Sequence, residues 1–141
     1  MDTKGRDIWI IFPVFCVLLS YLMWLHRAEP WTPMRIAGVC MILFGFVFWT
    51  LARIQLGASF SVEAKATALV TRGLYSRIRN PIYVFGSVMI AGVCLFFLHP
   101  EYLLVFLVIV PMQIIRARKE SAVLEAAFGD AYRQYKQQTW F

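Results

Sequence analysis

Charge is scarce in this chain. Asp, Glu, Lys and Arg make up 16% of its 141 residues, while 60% are hydrophobic. Soluble domains carry roughly a quarter charged residues, so the shortage excludes a water-soluble globule and points to an integral membrane protein. Acidic residues are the rarer sign, 8 against 14 basic ones, for a net charge of +6. That excess does not signal nucleic-acid binding, because the basic residues are interleaved with apolar runs instead of being gathered on a soluble module. Cysteine is nearly absent as well. Cys16, Cys40 and Cys94 each lie inside an apolar run; an odd number without paired spacing excludes a disulfide framework and a cysteine zinc site. The histidines, His26 and His99, stand near the outer ends of apolar runs without a ligand set, so no metal is expected. Neither G-x-G-x-x-G, HExxH nor G-x-S-x-G occurs, which removes a glycine-rich phosphate cradle, a zinc-protease helix and a serine-hydrolase elbow. No low-complexity segment or internal repeat is visible.

What is present in quantity is uncharged apolar sequence in long runs. Residues 8–25 hold no charge and reach about 18 residues, enough for a membrane span at roughly 1.5 Å per residue. A signal peptide is the competing reading, but the run is flanked by Trp9 and Trp24 and lacks a small-x-small cleavage site before Arg27. Pro13 falls near its start, where proline is tolerated. Further spans are expected over about 34–56, 82–98 and 102–115. Gly38 and Gly45 lie on nearly one face of the second, and small residues at that spacing let a neighbouring helix approach closely. Pro81 is expected in the first turn of the third span, where its missing N–H costs nothing. Pro111 is expected to kink the fourth.

From about 116 to 137 the pattern turns amphipathic, with Val123, Leu124, Ala127, Phe128, Tyr132 and Tyr135 near helical spacing and an interruption at Gly129-Asp130. The expected architecture is therefore all-α and integral to the membrane, a single domain over 1–141 with about four transmembrane helices and a cytoplasmic amphipathic C-terminal helix. Lys4 and Arg6 precede the first span. Arg53, Lys65, Arg72, Arg77 and Arg79 follow the second, and Arg116, Arg118, Lys119, Arg133 and Lys136 follow the fourth, while Arg27 and Arg35 fall on the other side. By the positive-inside rule this multi-pass chain has both termini and the loop over 57–81 in the cytoplasm.

Two polar segments, 71–83 and 116–129, are joined by the apolar hairpin, so they return to one membrane face and should meet. Arg116 and Glu120 are four apart and share a helix face. As a surface ion pair they would contribute about a few tenths of a kcal/mol; at a membrane boundary charged groups are costly unless used. Arg77 and Arg79 supply positive charge to the loop, either for a ligand or for anionic headgroups.

The order Gln55-Leu-Gly, Phe60-Ser61, Leu69-Val-Thr-x-Gly-x-Tyr75-Ser-x-x-Arg79-x-Pro81-x-Tyr83, a hairpin, then Arg116-x-x-x-Glu120-x-x-x-Leu124-x-x-x-Phe128-Gly129-x-x-Tyr132-x-x-Tyr135 resembles the integral-membrane methyltransferases. These include the isoprenylcysteine carboxyl methyltransferases and the related phospholipid methyltransferases. The resemblance covers about 53–136. It implies S-adenosylmethionine as cofactor at the cytoplasmic face, lined by the positions matching Thr67, Ala68, Leu69, Val70, Tyr75, Asn80, Pro81, Ile82, Tyr83 and Glu120. It implies also that Arg116 faces the substrate. Three positions depart from the family pattern: Arg-Asn-Pro replaces Arg-His-Pro, Glu120-Ser121 replaces a Glu-Glu pair, and Gly-Leu-Tyr replaces Gly-Pro-Tyr.

The resemblance thus implies methyl transfer to a lipid-like or prenylated acceptor among membrane lipids. Asn80 does not change charge near neutral pH, and a carboxylate acceptor needs no base whereas a protonated amine must first lose a proton. Carboxylate O-methylation is the resulting expectation. N-methylation of a phospholipid amine and a non-catalytic role as a membrane assembly or transport partner stand beside it.

Overall fold

The computed structural model describes residues 3–57 and 69–141, with side chains described from Pro13 onward, that of Pro100 excepted. Four helices account for most of it: α1 (Thr3–Leu25), α2 (Pro33–Leu56), α3 (Pro81–Phe96) and α4 (Phe106–Gln138). Two 3-10 turns, Gly73–Ser76 and Pro100–Val105, join them. Among the described residues the only β pairing is an isolated bridge between Ile78 and Trp140. The chain falls into two compact units, Met1–Pro33 and Met34–Phe141.

The first unit is α1 and the turn after it. The helix begins ahead of its apolar run, so Pro13 sits inside it and not near its start. There it cannot donate to the carbonyl one turn earlier. Past the helix end, the Arg27 guanidinium lies 4.7 Å from the centre of the Trp24 ring, a cation–π contact that lets the charged tip stay beside an amphipathic aromatic.

The second unit is built on a crossing of α2 and α3. A Cβ added at Gly38 would stand 2.7 Å from the Gly92 carbonyl oxygen, and one at Gly92 would stand 2.7 Å from the Gly38 carbonyl oxygen. Backbone therefore meets backbone. One added at Gly45 would come within 2.8 Å of the Met89 nitrogen, so the small-residue face of α2 finds its partner in α3. Ile42, Phe46, Phe85, Cys94 and Phe96 are buried around this crossing, and the Phe48 and Phe85 rings stack at 5.0 Å. Arg35 is buried near the start of α2, its guanidinium 5.5 Å from the Phe96 ring centre.

Leu98, with φ 58, ends α3, and the 3-10 turn Pro100–Val105 carries the chain into α4. The fourth helix therefore starts at Phe106, not near 102, and it continues through the expected boundary at Arg116 without a break. The change at Arg116 is one of side-chain environment, and backbone hydrogen bonding is indifferent to that. Backbone angles leave the helical region at Gly129 (φ 50, ψ −121) and not at Pro111. Beyond Gly129 the chain turns back, so that Tyr132 reaches Ser121 and Arg133 reaches Glu125.

Polarity is distributed the opposite way from a soluble domain. Leu104, Leu107, Val108, Met112 and Ile115 are all exposed, Leu107 by 73%, while tyrosines and an arginine are buried. Large contiguous apolar surface of this kind marks contact with lipid or protein. By length and composition α2 suffices to cross a membrane; the apolar segments Pro13–Leu25 and Pro81–Phe97 are shorter.

Candidate functional site

The polar groups converge where the start of α3 meets the middle of α4. Pro81 occupies the first turn of α3, as its fixed φ favours, with Asn80 as the residue before it. Asn80 makes no side-chain cap; its carbonyl instead accepts from the Tyr83 backbone N–H at 3.1 Å. One turn into the helix, the Tyr83 hydroxyl donates to Glu120 Oε1 at 2.6 Å. Arg116 Nε lies 3.4 Å from the same oxygen, one turn earlier on α4. A short O–H···O⁻ bond of this kind is among the stronger hydrogen bonds in proteins. Both contacts fall on Oε1, leaving Oε2 without a hydrogen bond among the described residues.

The loop that precedes α3 is held from three sides. The Leu74 N–H donates to Gln55 Oε1 at 2.7 Å, tying the 3-10 turn to the end of α2. Gly73 lies at φ +62, and a Cβ there would collide with the Gln55 amide, so both the turn and the contact demand glycine. Tyr75 is buried, and its carbonyl accepts from the Tyr135 hydroxyl at 2.7 Å. Finally the chain end runs alongside. The Trp140 N–H donates to the Arg77 carbonyl at 3.0 Å, Arg79 N–H to the Trp140 carbonyl at 3.0 Å, and Asn80 N–H to the Phe141 carbonyl at 2.8 Å.

Burial pushes the Tyr75 phenol well above its ordinary pKa. Tyr135 and the Glu120 carboxylate add to that rise, while the Arg53 guanidinium opposes it. The Tyr135 phenol is pushed up to about 12, chiefly by burial and then by Tyr132, with Arg79 opposing. Both hydroxyls are thus neutral near pH 7. They act there as hydrogen-bonding groups.

Of the residues singled out in the sequence, Tyr83, Glu120 and Arg116 are in direct contact, and Tyr75 is close enough to feel the Glu120 charge. Asn80, Pro81 and Ile82 adjoin them on the chain. Leu69 and Val70 are half-buried and lead into the 3-10 turn. Thr67 and Ala68 lie outside the described residues. Sequence reasoning used Gln55 only as part of the resemblance and gave no role to Ser87, Gln113 or the pair Trp140-Phe141, because each acts through a partner distant in the chain. Ser121, a departure from the family pattern, sits 2.7 Å from the Tyr132 hydroxyl. A serine here bonds a buried tyrosine in the returning segment.

With this geometry in view, comparison with known proteins is decisive. The family model of the phospholipid methyltransferases matches residues 33–131. The chain belongs to that family. Its fold is similar to that of a eukaryotic intramembrane Ras methyltransferase, an isoprenylcysteine carboxyl methyltransferase, solved without a monobody. The TM-score is 0.71 at 22% sequence identity, over 96% of this chain and 49% of that one. This chain spans about half the length of that solved relative. No curated protein matches. Family and fold together make this an all-α fold of integral-membrane proteins. The matched segment stops short of Trp140 and Phe141, so the chain end that pairs with the loop lies outside it.

Proposed function

We propose that this chain is an S-adenosylmethionine-dependent methyltransferase acting on a lipid-like acceptor at the cytoplasmic membrane face. The observation that carries the reading is the Tyr83–Glu120–Arg116 contact, which sets an anion and a cation side by side at the mouth of an apolar hairpin. On this reading the four helices cross the bilayer and both termini face the cytoplasm, the whole chain working as one domain. α3, at 16 residues, is about 24 Å long and shorter than a typical hydrocarbon core, which local thinning and snorkelling arginines accommodate.

The residues fit the cofactor's chemistry. Glu120 Oε2, without a hydrogen bond among the described residues, suits the cofactor's ammonium group, and the rings of Tyr75 and Tyr83 suit its cationic and aromatic parts. Arg79 Nε is buried with no hydrogen-bond partner among the described residues, and a ligand carboxylate would satisfy it. When bound, S-adenosylmethionine supplies a methyl group on a positively charged sulfur. Thr67, Ala68, Leu69, Val70, Asn80, Pro81 and Ile82 complete the proposed lining. Arg116 orients an anionic group on the acceptor, which reaches the site laterally from the bilayer because its apolar tail has no reason to cross water. Holding the two reactants together and excluding water supply much of the acceleration.

Carboxylate O-methylation, the chemistry named for the isoprenylcysteine enzyme, is the favoured reaction. A carboxylate arrives ready to react and pairs with Arg116, whereas a protonated amine needs a base that Asn80 does not provide. The family match favours a second reading, N-methylation of an aminophospholipid. Labelled S-adenosylmethionine with the protein in vesicles separates them. A label on a prenylcysteine that alkali releases supports the ester; an alkali-stable label on the aminophospholipid supports the amine. No transfer to either acceptor overturns the proposal and leaves a non-catalytic membrane partner.

A further inference from the structure

The α3–α4 seam carries a second polar rung below the first. Ser87 Oγ lies 3.2 Å from Gln113 Oε1 and 3.1 Å from Gln113 Nε2. Ser87 is one turn beyond Tyr83 on α3, and Gln113 is three and seven residues before Arg116 and Glu120 on α4. Both rungs are cross-helix hydrogen bonds, so they occupy the same interface. By helical rise the second lies about 5 to 10 Å along α4 from Arg116 and Glu120. The hairpin around it is otherwise apolar: from Phe106 to Ile115, Gln113 is the one residue able to hydrogen-bond through its side chain.

Interhelical glue is the simplest role for such a pair, and two features exceed it. Both atoms of the Gln113 amide crowd onto one hydroxyl, so an N–H and a carbonyl lone pair of Gln113 have no partner among the described residues. Neither residue is buried, and Met112 and Ile115 beside Gln113 are exposed. Unsatisfied amide capacity at a surface facing hydrocarbon is costly unless something occupies it.

We propose that Ser87 and Gln113 form an acceptor-recognition site, binding an uncharged hydrogen-bonding group of the lipid-like substrate farther along the α3–α4 seam than Arg116 and Glu120. This rests on the proposed methyltransferase reading and adds to it. An amide of a prenylated amino acid or a glycerol ester of a phospholipid has the required chemistry. The pair positions the acceptor and takes no part in bond-making.

The test uses this chain in vesicles and the double variant Ser87→Ala/Gln113→Met, which nearly keeps volume and removes the polar atoms. Four probes are titrated: an N-acetylated prenylcysteine, its analogue lacking the amide, a diacyl aminophospholipid and its dialkyl-ether analogue. Acceptor Kd is read by thermal shift, separately from S-adenosylhomocysteine Kd and from the melting temperature without ligand. The expected result is a tenfold or greater loss of affinity for one carbonyl-bearing probe, with its analogue bound equally by both proteins and the cofactor-product Kd within twofold. Which carbonyl probe responds identifies the source. A lowered melting temperature with all acceptor affinities unchanged would make the pair glue and overturn the inference. Wild type that binds acceptors but not S-adenosylhomocysteine would instead overturn the cofactor reading.

Discussion

The two ends of α3 are held in different ways. At Gly92 the helix meets α2 backbone to backbone, with no room for a single added carbon. At Tyr83 it meets α4 through a hydrogen bond to a carboxylate whose other oxygen has no partner among the described residues. The far end derives its fixity from the absence of side chains, the near end its chemistry from side chains with capacity to spare. Both kinds of contact thus lie on one helix, the proposed cofactor-facing groups at its start and the backbone-to-backbone packing near its end.

The comparison breaks most visibly at the glycine end. Gly92→Leu should destabilise by about 3 kcal/mol or more, since overpacking a close helix contact forces backbone to move. Melting in detergent should show a collapse in stability, while Gly86→Ala, whose new Cβ would meet only the Trp49 ring at 3.8 Å, should melt like wild type. The polar end should respond in the opposite sense. Glu120→Ala should lower melting modestly, through loss of the Tyr83 hydrogen bond, and weaken cofactor binding by about 2 kcal/mol, the worth of a charge-assisted hydrogen bond, readable by calorimetry. Between these lies Tyr132→Phe. Tyr132 is 1% exposed and bonded to Ser121, so losing its hydroxyl should cost about 1 kcal/mol of stability without moving the cofactor Kd.

A further effect is one of pH. The Tyr135 phenol titrates at about 12 in the folded chain, against about 10 when unfolded. From about pH 10 upward the unfolded chain binds fewer protons than the folded one, so stability is intact below that pH and is lost as pH rises towards 12. Denaturation midpoints across this window should fall less steeply for Tyr135→Phe. Tyr75, raised further, keeps its own contribution to higher pH.

How much of this could be read from the chain follows the same division. The glycine spacing of α2 announced a close approach, though not that Gly92 would supply the other half, since a crossing partner depends on helix geometry. Pro81 in the first turn of α3 and the interruption at Gly129 are local backbone chemistry, and both were legible. Two polar segments joined by an apolar hairpin foretold that the segments would meet, though not that Tyr83 and Glu120 would make the contact. A fourth span over 102–115 is short, so it had either to continue past the membrane surface or to let Arg116 snorkel; α4 continues, and composition, which changes at Arg116, did not choose between the two. Gln55 on Leu74, Gln113 on Ser87 and the chain end on Asn80 are contacts across 19 to 61 residues, and no local pattern encodes them.

The most direct test of the central claim is calorimetric binding of S-adenosylmethionine and S-adenosylhomocysteine to purified protein, with Glu120→Ala, Tyr83→Ala and Tyr132→Phe alongside. The account predicts saturable binding that the first two substitutions weaken at least tenfold and the third leaves unchanged. Absence of binding in both lipid and detergent, or wild-type affinity in Glu120→Ala, would contradict it.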